Sequence, residues 1–313
     1  MNVPFGFDAS LAVLTLAVAG YAIAVRESFA AVIAFISYGL LLALVWVRLS
    51  AVDVALTEGA IGGGVTGALL ISAAAKVGNG VADVSRPLGR VGKFFIAFLC
   101  AVITIGIAVA FLSLPESAPT LAPLAAEHLP STGLGNPVTA VLLSYRAIDT
   151  LLESVVLVFA VVGVWTFASD HHWGGAPESP GRDRPEEPLV FLGQILPPLG
   201  ILIGVHLVWT GATEPGGAFQ GGTILAAAWI LTMVAGLTKP PSIGGRWLRF
   251  ALVGGPALFL GIGVAGFVIA KAFLAYPEGY AKAFILVIEA GVTVSIAVAL
   301  GLLALGPPGR RLP

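Results

Sequence analysis

Charge is scarce in this sequence, and the charges that fall within apolar stretches stand out. Asp53, Glu58, Arg146, Asp149, Glu153 and Glu289 each lie inside a run otherwise apolar enough to cross a membrane. An ionisable group in such a run costs about 2.5–3.5 kcal/mol on insertion scales, so those present are functional candidates by default. Arg146, Asp149 and Glu153 are spaced i, i+3, i+7 in Tyr145-Arg146-Ala147-Ile148-Asp149-Thr150-Leu151-Leu152-Glu153, which places them on one face of a helix. Arg146 can then pair with Asp149. Glu153, one turn further on, has no cation on its own face within a turn. A carboxyl able to change protonation state at depth is what a proton or sodium relay requires. The same three groups could instead hold helices together.

Other positions divide between chemistry and architecture. Asp53 lies near the outer end of its run, where solvent can reach it and where it would anchor or cap a helix. Glu58 is followed by Gly59, Gly62, Gly63, Gly64 and Gly67, a spacing that permits close helix approach, local unwinding or both. Glu289 stands less than two turns from the polar end of its run, and ion transfer and packing are balanced there. The segment Thr210-Gly-Ala-Thr-Glu214-Pro215-Gly216-Gly217-Ala-Phe-Gln-Gly-Gly222 forces a tight turn at Pro-Gly-Gly. Glu214 would lie near the N-terminus of the following helix and suit its positive dipole end. That loop either binds an ion or serves as a packing and hinge feature, the usual role of glycine turns.

His171 and His172 share a polar loop without a ligand cluster, His128 falls in another loop, and His206 in a span reads as an interhelical hydrogen bonder. The single cysteine, Cys100, permits neither an internal disulfide nor a cysteine-built metal site. No nucleophile triad, phosphate-cradling loop, haem or iron–sulfur spacing is present. No enzyme, cofactor or metal centre is therefore expected.

The elements that position these residues must be membrane helices. The 313 residues are 58% hydrophobic and 11% charged, against about 25% charged in a soluble protein. Runs of about 20 apolar residues recur from end to end, each long enough for a hydrocarbon core of roughly 30 Å. Backbone polar groups in lipid need internal partners, and continuous rather than alternating runs exclude a barrel. An all-α polytopic bundle of about nine spans is expected, at 9–25, 29–47, 52–75, 94–114, 138–167, 189–210, 218–238, 250–270 and 283–305. The basic connection 76–93, the proline-rich 115–137 and the charged, flexible 169–188 separate them. The first residues carry no lysine or arginine, so the first run reads as a retained helix rather than a signal peptide. A net charge of −1 suggests no nucleic-acid partner. Lysine and arginine gather in alternate connections: Arg26; Lys76, Arg86, Arg90 and Lys93; Arg182 and Arg184; Lys239, Arg246 and Arg249; Arg310 and Arg311. Arg48, Lys271 and Lys282 remain opposite, which favours an N-out, C-in orientation. No internal repeat marks a self-contained transporter.

The residues resemble a known family. Asp53-Val-Ala-Leu-Thr-Glu58 and its glycine-rich sequel resemble the PDVALTE helix of the large A subunit of Mrp-type multisubunit cation/proton antiporters. That helix also forms a small subunit of energy-converting membrane-bound hydrogenases. Asn136-Pro-Val-Thr-Ala-Val-Leu-Leu-Ser-Tyr-Arg146-Ala-Ile-Asp149-Thr-Leu-Leu-Glu153 is similar to the family's N-x-V-T-x-I-L-x-D-Y-R-x-x-D-T-x-G-E. Glu214-Pro-Gly-Gly-Ala-Phe-Gln-Gly-Gly222 is similar to the S-P-G-G-G-F-Q-G-G loop of the B subunit. The departures are Ser144 for an aspartate, Gly211-Ala212 for Gly-His, Glu214 for serine and Ala218 for glycine. The resemblance implies the C-terminal module of an A subunit fused to a B-type subunit: 1–93 as a three-helix A-like module, 94–188 as a two-helix module with a polar linker, and 189–313 as a four-helix B-like module. It further implies a multi-pass protein of the inner membrane, partnered by larger antiporter subunits and handling Na+ and H+. Glu58 and Glu153 then match acidic residues of the ion path, and Arg146 and Asp149 match the motif's internal pair. The rival readings are a membrane-arm subunit of a redox-driven hydrogenase related to complex I, and a structural spacer between ion-moving subunits.

Overall fold

The computed structural model describes residues 5–78, 89–114, 120–178 and 186–310. Arg86, Arg182, Arg184 and Arg311 of the charge count lie outside the described residues, as do the side chains of Lys76 and Arg310. The long helices are α1 (Phe5–Ala24), α2 (Ser28–Arg48), α5 (Arg90–Leu112), α8 (Ala147–Trp165), α9 (Glu187–Thr210), α11 (Arg246–Ile269) and α12 (Ala281–Leu305). Between them, α3 (Val52–Thr57) runs through a π-helical stretch, Glu58–Val65, into α4 (Thr66–Gly78). Two short helices, α6 (Ala122–Thr132) and α7 (Pro137–Ala140), precede a second π turn at Val141–Tyr145 that leads to α8, and α10 spans Ala218–Val234. Among the described residues 8 helices are long and apolar enough to span a membrane, and the 17-residue α10 is apolar but shorter. The chain is an all-α polytopic membrane protein.

The α1–α2 hairpin is tied at its open end by Arg48 Nε donating to Asp8 Oδ1 at 2.7 Å and Arg48 Nη2 to Oδ2 at 3.1 Å. α2 then packs along the π stretch and α4. Contact there is backbone to backbone: a Cβ on Gly39 would stand 3.0 Å from Gly63 N and 3.1 Å from Gly63 Cα. The glycines of the third span thus supply both effects their spacing permits, a close approach and a locally rewound helix. Gly39→Leu is expected to lower stability by about 1–3 kcal/mol, read from thermal unfolding in detergent, because no flexible side chain is there to yield.

The larger body is built on α12, which packs against α10, α11 and α8. Ile285, Ile288, Val292 and Ile296 of α12 meet Ala226 of α10, Phe259 of α11 and Leu151 of α8 in one core. By contrast, no residue of α5 is buried.

The structure corrects several expectations. The fifth span is not one helix over 138–167. It breaks at Arg146 (φ −130°, ψ 38°), whose N–H reaches back to Val141 O at 2.8 Å. The carbonyls this frees find side chains: Thr150 Oγ1 donates to Leu142 O at 2.6 Å and Tyr276 Oη to Leu143 O at 2.8 Å. Burial pushes the Tyr276 phenol up to about 12, so it stays protonated and able to donate. No proline or glycine marks the break, which depends on these distant partners. The proline-rich 115–137 contains α6, anchored by Tyr145 Oη donating to Ala125 O at 2.9 Å. The charged connection is also partly ordered. Ser242 Oγ donates to Gly174 O at 2.6 Å, Ile243 N to Gly175 O at 2.9 Å, and Ala176–Pro177 pair antiparallel with Pro308–Arg310. Its remainder, 179–185, lies outside the described residues. His206 is exposed on α9 rather than packed between helices.

Candidate functional site

Three segments remote in sequence converge at one end of the bundle. Asp53 begins α3, Asn136 precedes α7, and 211–217 turns from α9 to α10. Asn136 starts its helix because its side chain accepts from Val138 N at 2.8 Å and Pro137 needs no donor partner. Its Nδ2 is left to donate to Glu214 O at 3.0 Å and Asp53 Oδ1 at 3.3 Å. Asp53 Oδ1 also accepts from Gly216 N at 3.0 Å. Thr139 Oγ1 donates to Gly211 O at 2.7 Å and Gly135 N to Ala212 O at 2.9 Å, completing the knot. Asp53 is only 9% exposed. It does not meet solvent at a helix end, and it anchors two other segments rather than capping its own.

The turn takes this shape because its glycines have no alternative. Gly217 has φ +123°, and a Cβ on Gly211 would stand 2.6 Å from Gly217 N. Glu214 is exposed, and its N–H closes the last turn of α9 on Thr210 O at 2.8 Å. It therefore lies at the C-terminal end of α9, not at the N-terminus of α10. What the loop contributes is backbone: the Glu214 carbonyl and the Gly216 N–H.

Beneath the knot lies a cavity of about 200 Å³ lined by residues of four segments, among them Thr57, Thr139, Glu153, Gly217, Gln220 and Glu289. Glu289, 2% exposed, forms its floor. Its carboxyl accepts from the Ala218 N–H at the start of α10, and its Oε2 has no hydrogen-bond partner among the described residues. Glu153 stands exposed at the rim. Gln220 lines the cavity beside Glu289, and its Nε2 donates to Thr57 Oγ1 at 3.0 Å and to Asp53 O at 3.4 Å.

The remaining ionisable residues lie apart from that cavity. Arg146 and Asp149 form the ion pair that their spacing suggests, Nε to Oδ2 at 2.6 Å, although Arg146 now precedes the helix. Asp149 is thereby in the first turn of α8, where a carboxylate is favoured. Both side chains face out of the bundle, 72% and 47% exposed. Glu58, half-buried, folds its carboxylate back over Gly62 of its own π stretch. So Glu153 shares a cavity with Glu289, and Glu58 does not line it. Sequence reasoning passed over Asn136, Thr57 and Gln220 as working groups. The signals were an Asn-Pro helix start and a glutamine three residues into a glycine-turned helix, both mute about partners 78 or more residues away.

Comparison with known proteins agrees with this architecture. Residues 13–79 match the MbhD family, the D subunit of MBH, and residues 188–306 match the "Domain related to MnhB subunit of Na+/H+ antiporter". An uncharacterized protein of Methanocaldococcus jannaschii is 33% identical over 154 residues, 44% of this chain and 59% of its own length. A chain of the Mrp complex from Dietzia sp. DQ12-45-1b superposes with a TM-score of 0.76 at 22% identity, over 99% of this chain and 36% of its own. A chain of the membrane-bound sulfane sulfur reductase, an archaeal respiratory membrane complex, superposes with a TM-score of 0.57 at 22% identity, over 69% of this chain and 99% of its own. This chain thus spans 59% of the curated relative and 36% of the Mrp chain, and at these identities the two structural likenesses speak of fold. Its two matched domains thus relate residues 13–79 to the MbhD family and residues 188–306 to the MnhB subunit of Na+/H+ antiporters, and the chain resembles an Mrp-type antiporter subunit in which the C-terminal module of the A subunit is fused to a B subunit.

Proposed function

We propose that this chain carries part of the ion path of a sodium/proton antiporter in the inner membrane, assembled with larger antiporter subunits. The observation that supports this most is the cavity that joins exposed Glu153 at its rim to buried Glu289 at its floor. A carboxyl that meets the surroundings and another that does not, linked by water-sized space, form a two-station relay. Arg146, Asp149 and Glu153 follow one another along the outward side of the fifth span, and charge there is costly against lipid. A neighbouring protein of the complex covers that face, and ions enter from it. In the N-out orientation the Asp53 knot closes the outer end of the path. Glu58, in the glycine-lined π stretch, serves a separate branch toward the N-terminal hairpin.

Glu153→Gln tests this reading. In vesicles bearing the whole complex, sodium-driven proton exchange falls to background while the complex still assembles. Full exchange in that variant would sink the proposal.

The match to the MbhD family and the fold of the sulfane sulfur reductase chain favour one alternative, a redox-driven pump using the same cavity. Mass spectrometry of partners co-purified in mild detergent separates the two. Antiporter-like subunits alone support exchange, and iron–sulfur subunits support the pump.

A further inference from the structure

We propose that the floor of the cavity is a binding site for one partly dehydrated sodium ion, held between the Glu289 carboxylate and the Gln220 side-chain carbonyl. This rests on the reading that the cavity lies on the ion path, and it assigns the ligands.

The two oxygens flank one position. Glu289 Oε1 and Gln220 Oε1 lie 3.2 Å and 3.5 Å from the position a Cβ on Gly217 would take. The amide cannot be turned the other way. Asp53 O can only accept, and the Thr57 hydroxyl proton is spent on that same carbonyl at 3.0 Å. The Gln220 nitrogen must therefore face Thr57 and Asp53, which leaves its oxygen toward the cavity. On the other side, the Ala218 N–H fixes the Glu289 carboxyl so that Oε2 remains unpaired in a buried position. A buried carboxylate oxygen without a donor calls for a proton or a cation.

The surroundings select the charge and hardness of that cation. α10 carries no ionisable side chain, and α11 carries only Arg246 and Arg249, in its first turn at the far end of the helix. α8 offers Glu153 at the rim and Asp149 facing outward, α9 only Glu187 and the exposed His206, and α3 the committed Asp53. Lys282, two turns along α12, is exposed beside Gly133. One floor carboxylate therefore stands opposite no fixed cation among the described residues. All-oxygen ligands suit a hard ion. No group of three or more His, Cys, Asp or Glu side chains that could hold a metal ion occurs among the described residues, which fits a monovalent guest rather than a divalent one. A cavity of about 200 Å³ leaves room for several waters to complete the shell. Protons compete for the same oxygen, so sodium occupancy falls as the medium is acidified.

Equilibrium binding of radioactive sodium to the full chain, purified with its partners in mild detergent, tests the site. Glu289→Gln should remove one equivalent of bound sodium, Gln220→Met should weaken that equivalent at least tenfold, and the loss should grow on acidification. Glu289→Asp retains the charge with a shorter reach and should bind more weakly than the original. It carries the test if the glutamine variant fails to assemble. Equal sodium binding in the original, Glu289→Gln and Gln220→Met would overturn the assignment. Binding lost with exchange intact would instead sink the ion-path reading and leave the site standing.

Discussion

Replacing Asp53 by alanine should destabilise the protein by about 3 kcal/mol, while asparagine at the same position should cost less than about 1.5 kcal/mol. The difference follows from what Asp53 does. Its Oδ1 receives the Asn136 amide and the Gly216 N–H from residues 83 and 163 positions later in the chain. Alanine leaves a buried backbone N–H unpaired, at about 1–3 kcal/mol, and weakens a second donor that retains only Glu214 O. Asparagine keeps an acceptor oxygen in the same place. Thermal unfolding in detergent reads the ranking, and limited proteolysis at the 211–217 turn reads its location. If alanine and asparagine unfold alike, the knot is not what joins these segments. If asparagine is stable yet abolishes exchange, the charge of Asp53 is used in transport as well as its acceptor geometry.

Asp53 also illustrates what could be read before the fold was known. The spans were legible because lipid imposes one requirement on every residue of a segment, and a run of 20 residues averages out local accidents. The glycine run after Glu58 was legible for a related reason: glycines at close spacing can serve little else in a helix. The burial of Asp53 was not legible. Its position near a helix end is local information, whereas its hydrogen bonds come from two other segments. The break at Arg146 was hidden for the same reason, since Thr150 and Tyr276 supply the partners that make it tolerable. Glu289 was weighed by its distance from the polar end of its run, a measure along one helix. The structure puts α10 and its loop over that end, so the residue becomes the most enclosed carboxylate of the cavity. Intramembrane charges announce themselves in sequence; which of them share a cavity is a property of helix packing.

Gly217→Ala should abolish exchange while leaving every ionisable group in place, and this makes it the sharpest test of the cavity. A methyl group at that position would stand 3.2 Å from Glu289 Oε1 and 3.5 Å from Gln220 Oε1, in the space assigned to the ion and its water. The backbone there has φ +123°, so a side chain also adds strain of about 1–3 kcal/mol. A control must separate strain from occupation. Gly279 also has positive φ, +79°, but a Cβ there meets nothing within 4 Å. Gly279→Ala should therefore cost roughly 1 kcal/mol of stability and leave exchange at its original rate. Sodium-driven proton flux in vesicles, normalised to assembled complex, compares the two. A Gly217 variant that assembles and exchanges as fast as the Gly279 variant would mean that ions do not pass the Glu289–Gln220 floor. Flux lost at Gly217 alone, in complex that still assembles, would support an ion placed beside the two oxygens, because the Gly279 variant also carries a positive-φ side chain but fills no cavity.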